Sequence, residues 1–286
     1  MSATEPIHAL SFDIEDWFHM VEIDAVADPK SWDSFPSTVE RETEWILDTL
    51  DRHGVRASFF VLGWIAAKYP ALVKAIEERG HEIGSHSFWH RRIDQLDPAV
   101  FKEDVSDSLD AIRSAGVERC DGFRAPTFSI VRGAEWAMDV LLDLGFTWDA
   151  SLFPTPREHG GYPCPLEPHT SRIAPSGRSM PELPMSIMQL GPRATAVSGG
   201  GFFRLFPRAV IKRGFSQCER AGRPVVVYMH PRDFATDTPH IPMSRLRRFK
   251  CYVGIASARE KFKWMLDSWR FGTCTEVLAS SLGSEA

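Results

Sequence analysis

The sequence predicts an α/β fold built like a barrel. Two patterns point there. Short apolar runs alternate with amphipathic segments along most of the 286 residues, the mark of repeated strand–helix units. In addition, Asp13, His86, Arg124, Asp149 and His230 each fall at or just after the end of a predicted strand. Barrels of this class carry their chemistry at the C-terminal ends of the strands, whereas chance would scatter such side chains over helices and both strand ends.

The strands are expected at residues 7–12, 57–62, 82–85, 122–124, 147–149, 225–229 and 275–278, where apolar residues run together between turn signals. After the first, Ser37-Thr38-Val39-Glu40 has capping-box spacing and predicts a helix running to about Arg52. Val39, Trp45, Ile46, Leu47 and Leu50 roughly follow its apolar stripe, and Gly54 provides the stop. Pro70 opens a second helix that Gly80 closes. Asp97-Pro98 starts a third, running to Gly116, with Val100, Phe101, Val105, Leu109 and Ile112 on one side. Further helices are expected at 133–144, 207–221 and 256–269. Residues 153–192 are proline-rich with little periodicity and predict an excursion holding short strands around 182–190. Ser198-Gly199-Gly200-Gly201-Phe202-Phe203 reads as a tight loop near the substrate; no Lys-Ser/Thr follows it as in a nucleotide-binding loop. Neither repeats nor a linker break the chain, so residues 1–286 are expected to form a single domain.

A hydrophobic fraction of 43% can build a full core, which excludes general disorder. The formal net charge of −5 gives no footprint for nucleic acid. Arg245, Arg247, Arg248 and Lys250 form the one dense positive stretch and read as a solvated helix face. Five scattered cysteines without a CxxC pair argue against a disulfide scaffold and a thiolate metal knuckle. The first residues lack the basic and apolar regions of a signal peptide, and no apolar run approaches a membrane span. The expectation is a cytoplasmic protein with no integral membrane segment; a homo-oligomer is left open.

Two clusters carry the chemistry. Asp13 and Glu15 are two apart, so an extended backbone projects them to one side. If the strand has already turned into loop, Asp16 reaches the site instead; alternatively, these acids merely cap the loop before Trp17. His86 and His90, in His86-Ser87-Phe88-Trp89-His90, either share a helix face or sit on a loop entering one. They can hold a metal or serve as caps, and no Glu follows His86 as in the HExxH signature. Two imidazoles and a carboxylate can supply the three protein ligands of an open catalytic metal site, with a remaining carboxylate as base. Arg124, before a rigid Ala125-Pro126 turn, can orient a carboxylate or form an ordinary salt bridge. Asp149 is a strand-terminal acid or a helix cap. His230 is a candidate general acid or a satisfied core histidine.

Ser11-Phe12-Asp13, His86-Ser87-Phe88-Trp89-His90, Phe123-Arg124-Ala125-Pro126, Asp149-Ala150-Ser151 and Tyr228-Met229-His230-Pro231, in this order, resemble the polysaccharide deacetylase family with its NodB-homology domain (carbohydrate esterase family four). Phe12 to Phe18, Val197 to Gly201 and Arg270-Phe271-Gly272 are similar to its branch found with bacterial exopolysaccharide and export loci. The resemblance implies an irregular (β/α) barrel with seven or eight strands. It also implies metal-dependent removal of N-acetyl groups from the amino sugars of a polysaccharide or its precursor. One departure stands out: the common family motif has adjacent aspartates, whereas Ile14 separates Asp13 from Glu15, a spacing of the variant branch that includes some peptidoglycan deacetylases and imide or allantoin hydrolases.

By this resemblance Glu15, His86 and His90 hold a divalent ion, expected to be Zn2+, with Asp16 as the substitute for Glu15. Asp13 is the base, oriented by Arg124, and His230 the acid, oriented by Asp149. A backbone N–H near Thr127-Phe128 supports the oxyanion, and Trp17 and Phe128 are assigned to the sugar. Rival readings are a ureide or cyclic-imide hydrolase on the same scaffold and a catalytically silent carbohydrate-binding protein.

Overall fold

The computed structural model describes residues 6–21, 23–197 and 199–283; the sequence readings of residues 1–5 and of Ser198 lie outside them. Its strands are β1 (Ile7–Ile14), β2 (Ser58–Val61), β3 (Glu82–Ser85), β4 (Gly122–Phe123), β5 (Trp148–Asp149), β6 (His169–Ser171), β7 (Met180–Glu182), β8 (Ile187–Leu190), β9 (Arg193–Ala196), β10 (Val226–Met229) and β11 (Arg270–Gly272). The helices are α1 (Val39–His53), α2 (Gly63–Lys68), α3 (Pro70–Glu78), α4 (Pro98–Ser114), α5 (Trp136–Asp143), α6 (Gly200–Leu205), α7 (Arg208–Arg220), α8 (Arg245–Tyr252), α9 (Ile255–Ser268) and α10 (Cys274–Leu282). None of the described helices is long and apolar enough to cross a membrane.

Eight strands run in the order β10-β1-β2-β3-β4-β5-β7-β6, and β11 adds to β1. Pairing is parallel from β10 to β7 and antiparallel only between β7 and β6. The sheet curls as a partial barrel, in agreement with the predicted class. Parallel strands demand crossovers, and the helices that provide them cover the outside. Leu10, Phe12, Phe59 and Val61 pack there with Ile46, Leu50, Ile76 and Phe262 of α1, α3 and α9. A second cluster around Phe123, Leu109 and Leu141 joins β4 to α4 and α5.

Two expectations need correction. Residues 275–278 are helical, inside α10. Thr273 Oγ1 accepts the Glu276 N–H and Glu276 accepts the Thr273 N–H, a reciprocal cap, so the strand comes earlier, at β11. The glycine run is not the tight loop expected: from Gly200 it forms α6. A Cβ on Gly199 would sit 2.2 Å from the Tyr228 ring, so the glycine there allows the close approach of α6 to β10. The proline-rich excursion does carry short strands, β6 to β8, and β9 follows just beyond it.

Candidate active site

Parallel register brings the strand ends to one level. Phe12 pairs with Met229, Val61 with Ser85, Ser85 with Phe123, and Phe123 with Asp149. The residues just beyond therefore meet. Asp13, Glu15, His86, His90 and His230 line one cleft of about 630 Å3, together with Thr127, Phe128 and Tyr228. A second cavity, of about 360 Å3, opens beside Glu82 and Thr275 at the opposite strand ends and is lined by none of these.

The two histidines lie on a tight turn after β3, not on a helix. Ser87 and His90 take left-handed backbone angles, φ 63° and 55°. Non-glycine residues rarely adopt these, so the turn must be held from outside. Asp104 of α4 does so, its Oδ1 accepting the N–H groups of Phe88 (3.1 Å) and Trp89 (3.0 Å). Gly63 and Trp64 of α2 donate to the carbonyls of Ser87 (2.8 Å) and Phe88 (3.2 Å). A Cβ on Gly63 would lie 2.5 Å from the Phe88 ring and 2.8 Å from Ser108 Cα, so only glycine admits this packing.

Glu15, His86 and His90 each offer a donor atom within 4.8 Å of the others, and all three are buried. His86 Nδ1 donates to the carbonyl of Arg124 at 2.7 Å, which leaves Nε2 with its lone pair toward the cleft. Burial lowers the His86 pKa to about 4 and so favours the neutral, ligating form. Glu15 Oε2 lies 2.8 Å from His90 Nε2, yet it is buried without a well-aligned hydrogen bond. Burial works against charge on Glu15, but His90, Arg232 and His230 prevail and hold its pKa well below the ordinary carboxylate value. An ionised carboxylate and two imidazoles converging on one buried point fit a divalent transition ion such as zinc.

Asp13 sits beside this trio. Arg124, wholly buried behind the cleft, donates from Nη1 to Asp13 Oδ1 (2.7 Å) and to Ser11 Oγ (2.9 Å), and its guanidinium lies over the Phe60 ring at 4.0 Å. Burial opposes charge on Asp13, but Arg124, His86 and His230 outweigh it and its pKa falls. On the other side, His230 Nε2 lies 3.8 Å from Asp13 and 3.6 Å from Glu15.

The residue that orients His230 is Asp233, not Asp149. Its Oδ2 lies 3.0 Å from His230 Nδ1 and accepts the His230 backbone N–H at 2.8 Å. Burial disfavours a charged Asp233, yet Arg204, His230 and Arg232 hold its pKa far below the usual range. Arg204 comes from α6, Nε 2.8 Å from Asp233 Oδ1. Asp149 points elsewhere: it accepts from Ser151 Oγ (2.6 Å) and N (3.0 Å) and pairs across the sheet with Glu182. Both acids are fully buried; burial and the Asp149 charge raise Glu182 well above the ordinary carboxylate value, which favours its neutral form.

Asp16 is not a substitute ligand either. Its carboxylate accepts from Ser37 Oγ (2.5 Å), Thr38 N (3.0 Å), Val39 N (3.3 Å) and Trp17 N (2.8 Å). It thus caps α1 from another segment, taking the task that the Ser37–Glu40 pattern predicted for that segment itself. Trp17 is 1% exposed, packed with Phe18, Trp32 and Phe35, with its indole N–H on Pro36 O; it does not line the cleft. Phe128 does line it, but its N–H is spent on Ala125 O at 3.0 Å and is not free for an oxyanion. A different donor lies alongside: Thr127 Oγ1, buried and without a hydrogen-bond partner. Asp233, Arg232 and Arg204 were missed from sequence, and Thr127 was considered only for its backbone. For Asp233 a signal exists, since His230-Pro231-Arg232-Asp233 has the spacing of a reciprocal cap, which it forms.

Residues 30–147 match the family model described as polysaccharide deacetylase, and residues 150–279 one described as a domain of unknown function, DUF3473. The first spans His86, His90 and Arg124, while Asp13 and Glu15 precede it and His230 lies in the second. A chitooligosaccharide deacetylase of Bradyrhizobium sp. (strain ANU 289) is 32% identical over 96 residues, 34% of this chain and 42% of that protein. A peptidoglycan-N-acetylglucosamine deacetylase of Listeria monocytogenes is 51% identical over 51 residues, 18% of this chain and 11% of that one. The chain thus spans less than half the length of these curated relatives. The crystal structure of a candidate polysaccharide deacetylase from Mycobacterium smegmatis superposes with a TM-score of 0.68 at 18% identity, covering 97% of this chain and 90% of that one. At that identity the likeness concerns the fold.

Proposed function

We propose that this chain, whose residues 30–147 match the polysaccharide deacetylase model, is a metal-dependent hydrolase that removes N-acetyl groups from the amino sugars of a bacterial exopolysaccharide or its precursor. The observation that carries this reading is the buried convergence of Glu15, His86 and His90 beside an ionised Asp13 and opposite His230. Glu15, His86 and His90 would hold a divalent ion, zinc being best suited, which when bound would supply Lewis-acid polarisation of the acetamide carbonyl and a water nucleophilic near neutral pH. Asp13, kept charged by Arg124, accepts the proton of the attacking water. His230, with Nδ1 committed to Asp233, delivers a proton from Nε2 to the departing amine. Thr127 Oγ1 is a free donor for the developing oxyanion, and Phe128 and Tyr228 offer faces to a sugar.

The spacing of Asp13 and Glu15 favours a second reading on the same scaffold, hydrolysis of a ureide or cyclic imide. Products separate the two. Acetate release from N-acetylglucosamine oligomers should be abolished by a chelator and restored by zinc. His86→Ala and His90→Ala should lose both bound zinc and acetate release. Full acetate release from a metal-free preparation overturns the proposal, and ring opening of an imide without acetate release favours the alternative.

A further inference from the structure

α8 buries none of its eight side chains. Two of them are nevertheless large and apolar: Leu246 is 65% exposed and Phe249 53%. Leu205, at the end of α6, is 44% exposed, and all three stand at the mouth of the cleft. Among the described residues one further large apolar side chain is this exposed, Leu190, and it lies outside the cleft. Exposed apolar side chains gathered at one place mark a contact surface, whereas scattered ones need no explanation.

Charge accompanies them. Leu246 and Phe249 are three residues apart and share one helix face. Arg245 precedes Phe249 by four residues and Lys250 follows Leu246 by four, so a cation flanks each edge of the apolar pair. Arg248 is exposed beside them. Arg245 pairs with no carboxylate among the described residues, and Lys250 meets Glu158 only at the surface, at 3.1 Å. A helix with four cations and no acid, on a chain of net charge −5, calls for an anionic partner. Apolar side chains projecting between cations call for a hydrocarbon layer beneath that charge.

The helix is also held rigid. An eight-residue helix that buries nothing would not persist on its own. Ser244 Oγ accepts the Arg247 N–H at one end (3.3 Å). At the other, Arg204 donates to the carbonyls of Lys250 (3.2 Å), Cys251 (2.9 Å) and Val253 (2.8 Å). The same guanidinium that pairs with Asp233 therefore fixes the rim beside the cleft.

We propose that α8 is an interfacial docking helix, which seats Leu246, Phe249 and Leu205 at the headgroup boundary of an anionic bilayer and turns the cleft toward glycan carried on lipid at that surface. The lipid-borne substrate rests on the deacetylase reading; the docking does not. With two apolar anchors on the helix, attachment is weak and reversible.

The test is co-sedimentation of the full chain with vesicles of phosphatidylglycerol and phosphatidylcholine, and with phosphatidylcholine alone. Binding should require the anionic lipid and weaken with salt. Arg245→Glu should reduce partitioning by about fivefold or more, and Leu246→Ser/Phe249→Ser should do so in its own right. These side chains are exposed, so circular dichroism should show the variants folded. No binding to anionic vesicles at low salt, or binding that the variants leave unchanged, overturns the proposal. It is also overturned if sedimentation equilibrium shows self-association that the same variants abolish while vesicles are ignored, or if a soluble polyanion such as heparin is bound and vesicles are not. Failure of acetate release from soluble oligomers, with vesicle binding intact, counts against the deacetylase reading alone.

Discussion

At His230, orientation depends on a carboxylate three positions further along the chain. Asp233 and the imidazole form a pair of the kind that fixes tautomer and ring plane, and Arg204 keeps the acid charged. Asp233→Asn should therefore retain zinc while kcat for acetate release falls by about 10²–10⁴-fold. Asp149→Asn should leave turnover near wild type, because the Asp149 carboxylate bonds to Ser151 and does not line the cleft. Steady-state kinetics with metal analysis on the two variants checks this, and the reverse pattern would restore Asp149 as the partner. Much of the site was legible at this scale because its members are local in sequence: Asp13 with Glu15, and His86 with His90. Asp233 was overlooked although its spacing from His230 is that of the reciprocal cap it forms, because such a cap shows that the two meet without showing that the acid serves the ring. Arg204 was hidden because it acts across 29 residues, through an ion pair that no local pattern encodes.

Elements reveal a different kind of substitution. The start of α1 was read correctly, but not the group that caps it. Thr38 makes no side-chain cap, and Asp16, just after β1, satisfies the first N–H groups instead. The acid nearest the two candidate carboxylates is thereby spent on joining β1 to α1. Asp16→Ala should lower stability by about 2 kcal/mol in urea unfolding while zinc content is unchanged. Loss of zinc in that variant would return Asp16 to the ligand set. Helices with their own signals were readable: Asp97 caps α4 through Ala99 and Val100, as its position before Pro98 predicts. The strands of the excursion were less so. β6 and β7 are three residues each and owe their form to pairing with each other and with β5, not to an alternating pattern of their own.

For the whole molecule, the two matched segments do not correspond to two sheets. β1 lies between β2 of the first and β10 of the second, and β11 also pairs with β1. The candidate site is likewise divided between them. We propose that the chain unfolds as one domain: calorimetry should give a single transition, and two separable transitions would refute it. The alternating pattern of strands and helices was readable because short, buried, largely apolar runs such as β2 and β10 stand between amphipathic helices, whereas the order in which strands join depends on contacts between distant parts of the chain. This interleaving has a consequence for synthesis on the ribosome. Both imidazoles and their acid emerge early, but the segment that supplies His230 and covers the far edge of β1 comes near the end. Until then the nascent chain carries an open strand edge beside β1, and the cleft lacks the histidine proposed as its proton donor.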